Sequence, residues 1–367
     1  DRFVGQLIFG FTYILIVAAA TLNLSKYPRQ LWGIVVFFGY TILISFYRGV
    51  IPPVIILMPK SLFVPLLFFK YYIRGIITIS SITSTFIIVA LSHLIFSIYS
   101  LRYPDLVSTF TSYGILNNLD LRAVGIFVAP GVLSFFSVLF FCFGYSMYKE
   151  KQNISYIILV LLSIFTGVLS GNRSFLIGIV AVVIINIFQN HSLLKILKQL
   201  IPHMVVLVVF LILVYIIPND ILSRGESLAN RYEIDEIDSA LNERIEGDAG
   251  IKPGIYSLAE NPIFGNVVWD KKLMVKSNNI TSTVNNGFIS IFAYYGIPAG
   301  LFFFYIYFGA FFRYKKLIKF SLSLEDKRFY RVMYNMLISG SIVCMTDSFL
   351  FAPIMLIIIV LPYFHEI

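Results

Sequence analysis

The chain has 367 residues, of which 58% are hydrophobic and only 13% charged, and its mean hydropathy is +0.86. That is more apolar surface than one water-soluble core can hide, so a soluble globular fold is excluded and lipid is expected to solvate much of the chain. The formal charge of +9 does not point to nucleic acid, because the lysines and arginines sit in short connections between apolar runs, where they orient a membrane protein.

Stretches such as 3–22, 76–99 and 201–217 run for roughly 17 to 24 residues almost without charge, the length an α-helix needs to cross about 30 Å of hydrocarbon. A membrane β-barrel would instead show short segments of dyad alternation, and 157–169 is apolar on every face. The predicted fold is therefore an all-α polytopic membrane protein. In chain order the expected crossings are 3–22, 31–47, 49–69, 76–99, 123–147, 154–170, 175–190, 201–217, 286–311, 332–348 and 350–364, about eleven in all. The third is interrupted by Pro52, Pro53, Pro59 and Pro65, carries Lys60 near its centre, and reads as a broken or re-entrant segment. Cys142 and Cys344 both fall inside crossings, so neither a disulfide framework nor a paired-cysteine metal site is expected.

The densest short basic connection, 312–331, carries Arg313, Lys315, Lys316, Lys319, Lys327, Arg328 and Arg331 and is expected in the cytoplasm. Alternating back along the chain puts 191–200, 148–153, 70–75 and 23–30 on the same side. The long polar segment 218–285 is then outside, with the 102–122 connection and the short 171–174 link. Asp1 also starts outside, so the topology predicts one further span ahead of it, making twelve. The chain thus divides into eight crossings over 1–217, a large extracytoplasmic loop over 218–285, and three crossings over 286–367. Within the loop, 227–246 has the spacing of an amphipathic helix, after which Pro253 and Gly254 are expected to break the structure. A loop of this length is more often functional than not.

Among single residues, Arg173 is the most informative. It stands in Ser170-Gly171-Asn172-Arg173-Ser174, wedged between two apolar helices at the outer boundary. A cation so close to hydrocarbon is costly unless it is paired, snorkels or faces a polar cavity, and it suits an anion beside the bilayer such as a lipid-borne phosphate. Arg122 opens the preceding outer mouth in Arg122-Ala123-Val124-Gly125-Ile126-Phe127-Val128-Ala129-Pro130. Arg244 lies in the outer loop, followed by Glu260-Asn261-Pro262-Ile263-Phe264-Gly265 and then by Asn285-Asn286-Gly287-Phe288-Ile289 on a helix holding Gly296 and Gly300.

In their order around one long outer loop, these elements resemble the bacterial O-antigen polymerase and ligase superfamily, membrane glycosyltransferases that use undecaprenyl-diphosphate-linked sugars. The resemblance runs from about residue 120 to 310 and implies a GT-C-like architecture in the bacterial inner membrane, with the active site facing the periplasm. Ligases carry a histidine immediately before the second asparagine, where this chain has Asn285, which favours a polymerase. The activity implied is inverting glycosyl transfer without metal or cofactor. The partners implied are undecaprenyl-diphosphate-linked oligosaccharides as donor and acceptor, the bilayer, and a chain-length regulator. On this reading Arg122, Arg173 and Arg244 clamp the leaving diphosphate, with Arg231 in reserve, because a guanidinium stays protonated and pairs two oxygens at once. Glu260 is the expected base, with Asp270 and Glu246 as further carboxylates in the same loop. Asn285 and Asn286 are expected to hydrogen-bond sugar or to cap a helix. Tyr294, Tyr295 and Trp269 are expected to stack on sugar rings or to serve as interfacial aromatics. The alternatives are a ligase handing polymer to lipid A core and, in another class, a flippase for lipid-linked oligosaccharides.

Overall fold

The computed structural model describes residues 36, 64–65, 67–72, 75–103, 123–126, 130–188, 242, 245–246, 251–265, 286–345 and 352–364. The crossings expected over 3–22 and 201–217, all of 31–47 except Val36, and most of 49–69 lie outside these residues. The described secondary structure is helical: α1 (Ile79–Arg102), α2 (Pro130–Lys151), α3 (Ile154–Leu169), α4 (Arg173–Phe188), α5 (Ile251–Glu260), α6 (Gly287–Phe320), α7 (Leu324–Cys344) and α8 (Pro353–Val360), the last continued by a 3-10 turn at Leu361–Tyr363. Three of these, α1, α2 and α6, are long and apolar enough to cross a membrane. With 16 residues each, α3 and α4 span about 24 Å, somewhat less than the hydrocarbon thickness.

Where the helices begin and end differs from expectation in three places. The crossing expected from 123 starts only at Pro130, because proline lacks the amide a helix interior needs but fits its first turn. Pro253 and Gly254 do not break the chain but lie in the first turn of α5, where an amide has no partner within the helix in any case. The expected cytoplasmic connection 312–331 is largely helix, since α6 runs through Arg313 and Lys319 to Phe320 and α7 begins at Leu324.

The chain forms two compact units, one of Ser80–Asn242 with Ile338–Asp347, the other of Asp1–Ile79, Glu243–Leu337 and Ser348–Ile367. In the first unit α2 is the central helix, buried from Leu133 to Met147 on nearly every side. Its polar residues face its neighbours: Ser137 hydrogen-bonds Thr166 of α3 at 2.8 Å, and Ser134 hydrogen-bonds Ser174 of α4 at 2.9 Å. The outward faces are apolar instead. Ile88, Leu91, Ile95 and Ile98 form an exposed stripe on α1, Ile154, Ile158, Leu161 and Phe165 one on α3, and Ile177, Val180 and Ile184 one on α4. Spacings of three and four residues put each set on one helix face. Polar seams inside and apolar stripes outside invert the pattern of a water-soluble bundle, and that inversion identifies a helical membrane protein.

Close approach within this unit relies on two glycines. A Cβ on Gly167 would fall 2.1 Å from the buried Phe175 ring, and one on Gly178 would fall 2.4 Å from Val138. In the second unit α6 supplies an aromatic core, Phe288, Phe303, Phe304 and Tyr307, and its second half is tied to residues 358–363. The Tyr314 hydroxyl donates to the Ile358 carbonyl at 2.7 Å, the Tyr363 hydroxyl donates to the Ile306 carbonyl at 2.6 Å, and the Arg313 guanidinium lies 4.5 Å from the centre of the Tyr363 ring.

We expect Gly167→Val to destabilise the first unit by about 1–3 kcal/mol through overpacking against Phe175. Thermal unfolding in detergent should show a lowered midpoint, and Phe175→Leu combined with it should recover part of the loss.

Candidate functional site

Arg173 owes its position to a turn that is held by its own side chains. At the end of α3 the Ser170 hydroxyl donates back to the Gly167 carbonyl at 2.6 Å, and Gly171 adopts φ +57, a conformation that favours glycine. The Asn172 side-chain oxygen then accepts from the Ser174 amide at 3.1 Å, which caps the start of α4. Arg173 is the first residue of α4 and is half-buried, while Ser170, Asn172 and Ser174 around it are buried. The helix dipole disfavours a cation at this end, so both the arginine and the N-terminal end of α4 present positive potential to the same place. By register, Arg173 also heads the face that continues as Ile177, Val180 and Ile184, the exposed apolar stripe of α4. An anion held there would sit at the edge of the hydrocarbon.

The stretch following Arg122 in sequence runs beside this turn. The Ala123 amide donates to the Leu169 carbonyl at 3.0 Å, and the Val124 amide donates to the Ser100 hydroxyl at 3.2 Å, itself bonded to the Ser97 carbonyl at 2.8 Å. Gly125 passes so near His93 that a Cβ there would stand 2.1 Å from the imidazole. Non-helical backbone at this point therefore has the Ala123 and Val124 amides satisfied by the ends of two helices, which is why this stretch need not be helical.

The second place of interest lies in the other unit. The turn Asn261-Pro262-Ile263-Phe264-Gly265 leaves the end of α5 and packs backbone against backbone on α6. Gly265 has φ +65 and Gly296 φ +81, and Gly296 interrupts the helical conformation of α6. A Cβ on Gly265 would lie 2.4 Å from the Tyr294 carbonyl carbon, and one on Gly296 only 2.0 Å from the Ile263 carbonyl oxygen. The Ile297 amide, turned away from its own helix by the break, donates to the Pro262 carbonyl at 2.7 Å. Pro298, just beyond, has no amide to return to the preceding turn.

Of the residues expected to carry the chemistry, Arg122, Arg231, Arg244, Asp270 and Asn285, with Trp269, lie outside the described residues. Glu260 is the last residue of α5, exposed and directly ahead of the glycine-clamped turn. Glu246 pairs with Lys252, whose ammonium holds its carboxyl below the usual range, the wrong direction for a general base at neutral pH. The Asn286 side-chain oxygen accepts from the Phe288 and Ile289 amides at 3.0 Å each, so it caps α6. Tyr295 is buried, edge-on to Tyr294 with ring centres 6.3 Å apart, and Tyr294 is the more open of the two. Sequence reasoning did not find the clamp, although a glycine two residues before a proline inside an apolar helix is a signal for such a break.

We expect Gly296→Ala to cost about 1–3 kcal/mol or more, since it combines a disfavoured backbone conformation with collision against Ile263. Limited proteolysis should then cut within 261–265 faster than in the parent protein. Gly300→Ala, which meets only the movable ring of Phe292, should have the smaller effect. Compared with known proteins, the chain matches no family model and no curated protein.

Proposed function

We propose that the chain is a surface-polysaccharide polymerase of the O-antigen type. On this reading it crosses the bacterial inner membrane about eleven times, with a GT-C-like arrangement and its large loop outside. Its substrates are undecaprenyl-diphosphate-linked oligosaccharides. A hydroxyl of one repeat unit attacks the anomeric carbon of the growing chain and a new glycosidic C–O bond forms. The bond from that carbon to the diphosphate breaks, and its electron pair leaves with undecaprenyl diphosphate. The hydroxyl proton passes to a base, for which Glu260 is the candidate.

The observation that carries the reading is Arg173, a half-buried cation at the head of a lipid-facing stripe and at the positive end of α4. A substrate whose diphosphate is fixed to a polyprenyl tail offers its charge at that level, with its apolar part in the bilayer alongside. Negative charge grows on the diphosphate as the bond breaks, so a preorganised guanidinium and helix terminus favour the transition state over the ground state. Glu260 is likewise at the helix end that disfavours its charge, and charges kept against a helix dipole are what a site retained for chemistry would show.

In an extension assay with purified protein and defined lipid-linked repeat units, the parent should give a ladder of product lengths. Arg173→Ala should lower the rate by about 100- to 1,000-fold while the protein still accumulates in the membrane. Arg173→Lys should be nearly as impaired, because an ammonium cannot pair two oxygens in one plane; full activity would remove bidentate binding from the mechanism. Glu260→Gln tests the base, and a normal rate in that variant would end its candidacy.

A further inference from the structure

The turn clamped between Gly265 and Gly296 exposes the kind of side chain that turns in water avoid. Ile263 is 57% exposed and Phe264 48%, and on the adjoining α5 Ile255 is more than half exposed. These groups continue an apolar surface already present on α6, where Ile297, Leu301, Tyr305, Phe308 and Phe312 form one exposed stripe at spacings of three and four residues. The height of the turn along that stripe follows from the opposite end of α6. Its cationic end begins at Arg313, and at about 1.5 Å per residue the helix from Gly296 to Arg313 is about 25 Å long. Hydrocarbon about 30 Å thick that starts near Arg313 therefore reaches the level of Gly296 and of the turn packed on it.

We propose that α5 and the Ile263–Phe264 turn form an interfacial anchor, inserted into the bilayer leaflet opposite the Arg313 end, the outer leaflet on the orientation expected from charge. The occupant of this surface is membrane lipid. Helix α5 has the required polarity: Gly254 is buried against the protein, Ile255 and Ala259 flank that side, and Lys252 and Glu260 lie farther round towards water. The ion pair of Lys252 with Glu246 marks the wet side of the same element. The backbone clamp gives the anchor its precision, since the Ile297 amide and the two glycine contacts fix the turn to α6 without any side chain that could yield. This inference rests on the membrane reading of α6 and is independent of the glycosyl transfer proposed above.

The test uses the full chain in liposomes of phosphatidylethanolamine and phosphatidylglycerol. Single cysteines introduced as Phe264→Cys, Ile255→Cys and Lys252→Cys are labelled with an environment-sensitive fluorophore. The native Cys142 and Cys344 are both buried, and the parent protein serves as the labelling control. Probes at 264 and 255 should be quenched about twofold or more better by spin-labelled lipid than by iodide, and the probe at 252 should show the reverse preference. Iodide access at 264 and 255 equal to that at 252 would overturn the proposal. Shielding of both probes from both quenchers would overturn it too, because the surface would then be covered by protein.

Discussion

A peptide group left bare in hydrocarbon costs several kcal/mol, and at two places where the described residues depart from helix the structure answers that constraint. The non-helical stretch at 123–125 gives the Ala123 amide to the Leu169 carbonyl and the Val124 amide to the Ser100 hydroxyl. The break in α6 gives the Ile297 amide to the Pro262 carbonyl. Asparagine side chains begin three helices by accepting the first free amides, Asn153 for α3, Asn172 for α4 and Asn286 for α6. Each solution fixes a piece of backbone that a membrane helix alone could not hold, and the candidate functional residues are attached to those pieces.

Helix association follows from the same solvent. With apolar surface equally content in lipid or protein, the helices of the first unit meet through small and polar residues, with hydroxyl pairs at Ser137 and Thr166 and at Ser134 and Ser174. Gly167 and Gly178 allow the buried Phe175 and Val138 to approach without a cavity. This packing holds the start of α4, and therefore Arg173, against the centre of its unit. In the other unit the tie between α6 and the C-terminal residues, through Tyr314, Tyr363 and Arg313, steadies the helix that carries the glycine clamp.

Charge is sparse enough that its placement is informative. Arg173 and Glu260 stand at helix ends whose dipoles oppose them. Arg173 combines this with a lipid-facing register, which suits a phosphate carried on a lipid. Glu246, by contrast, is neutralised by Lys252 and belongs to the fabric of the loop.

The sequence by itself determined the solvent and the element type. Charge-free runs of membrane length admit only helices, because only a helix satisfies its backbone from within. It also marked Arg173 and the cap Asn286, since those depend on neighbours a few residues away, whereas the caps Asn153 and Asn172 went unread. Tertiary structure alone decided that 123–125 is not helical, that α5 forms through Pro253, and that α6 breaks at Gly296 against the 261–265 turn. Two of those outcomes depend on a carbonyl supplied by a distant part of the chain, Leu169 for Ala123 and Pro262 for Ile297. Local periodicity carries no information about so remote a partner. The proline of α5 is the instructive exception: position within the first turn, invisible until the helix start is known, turned a breaker into a compatible residue.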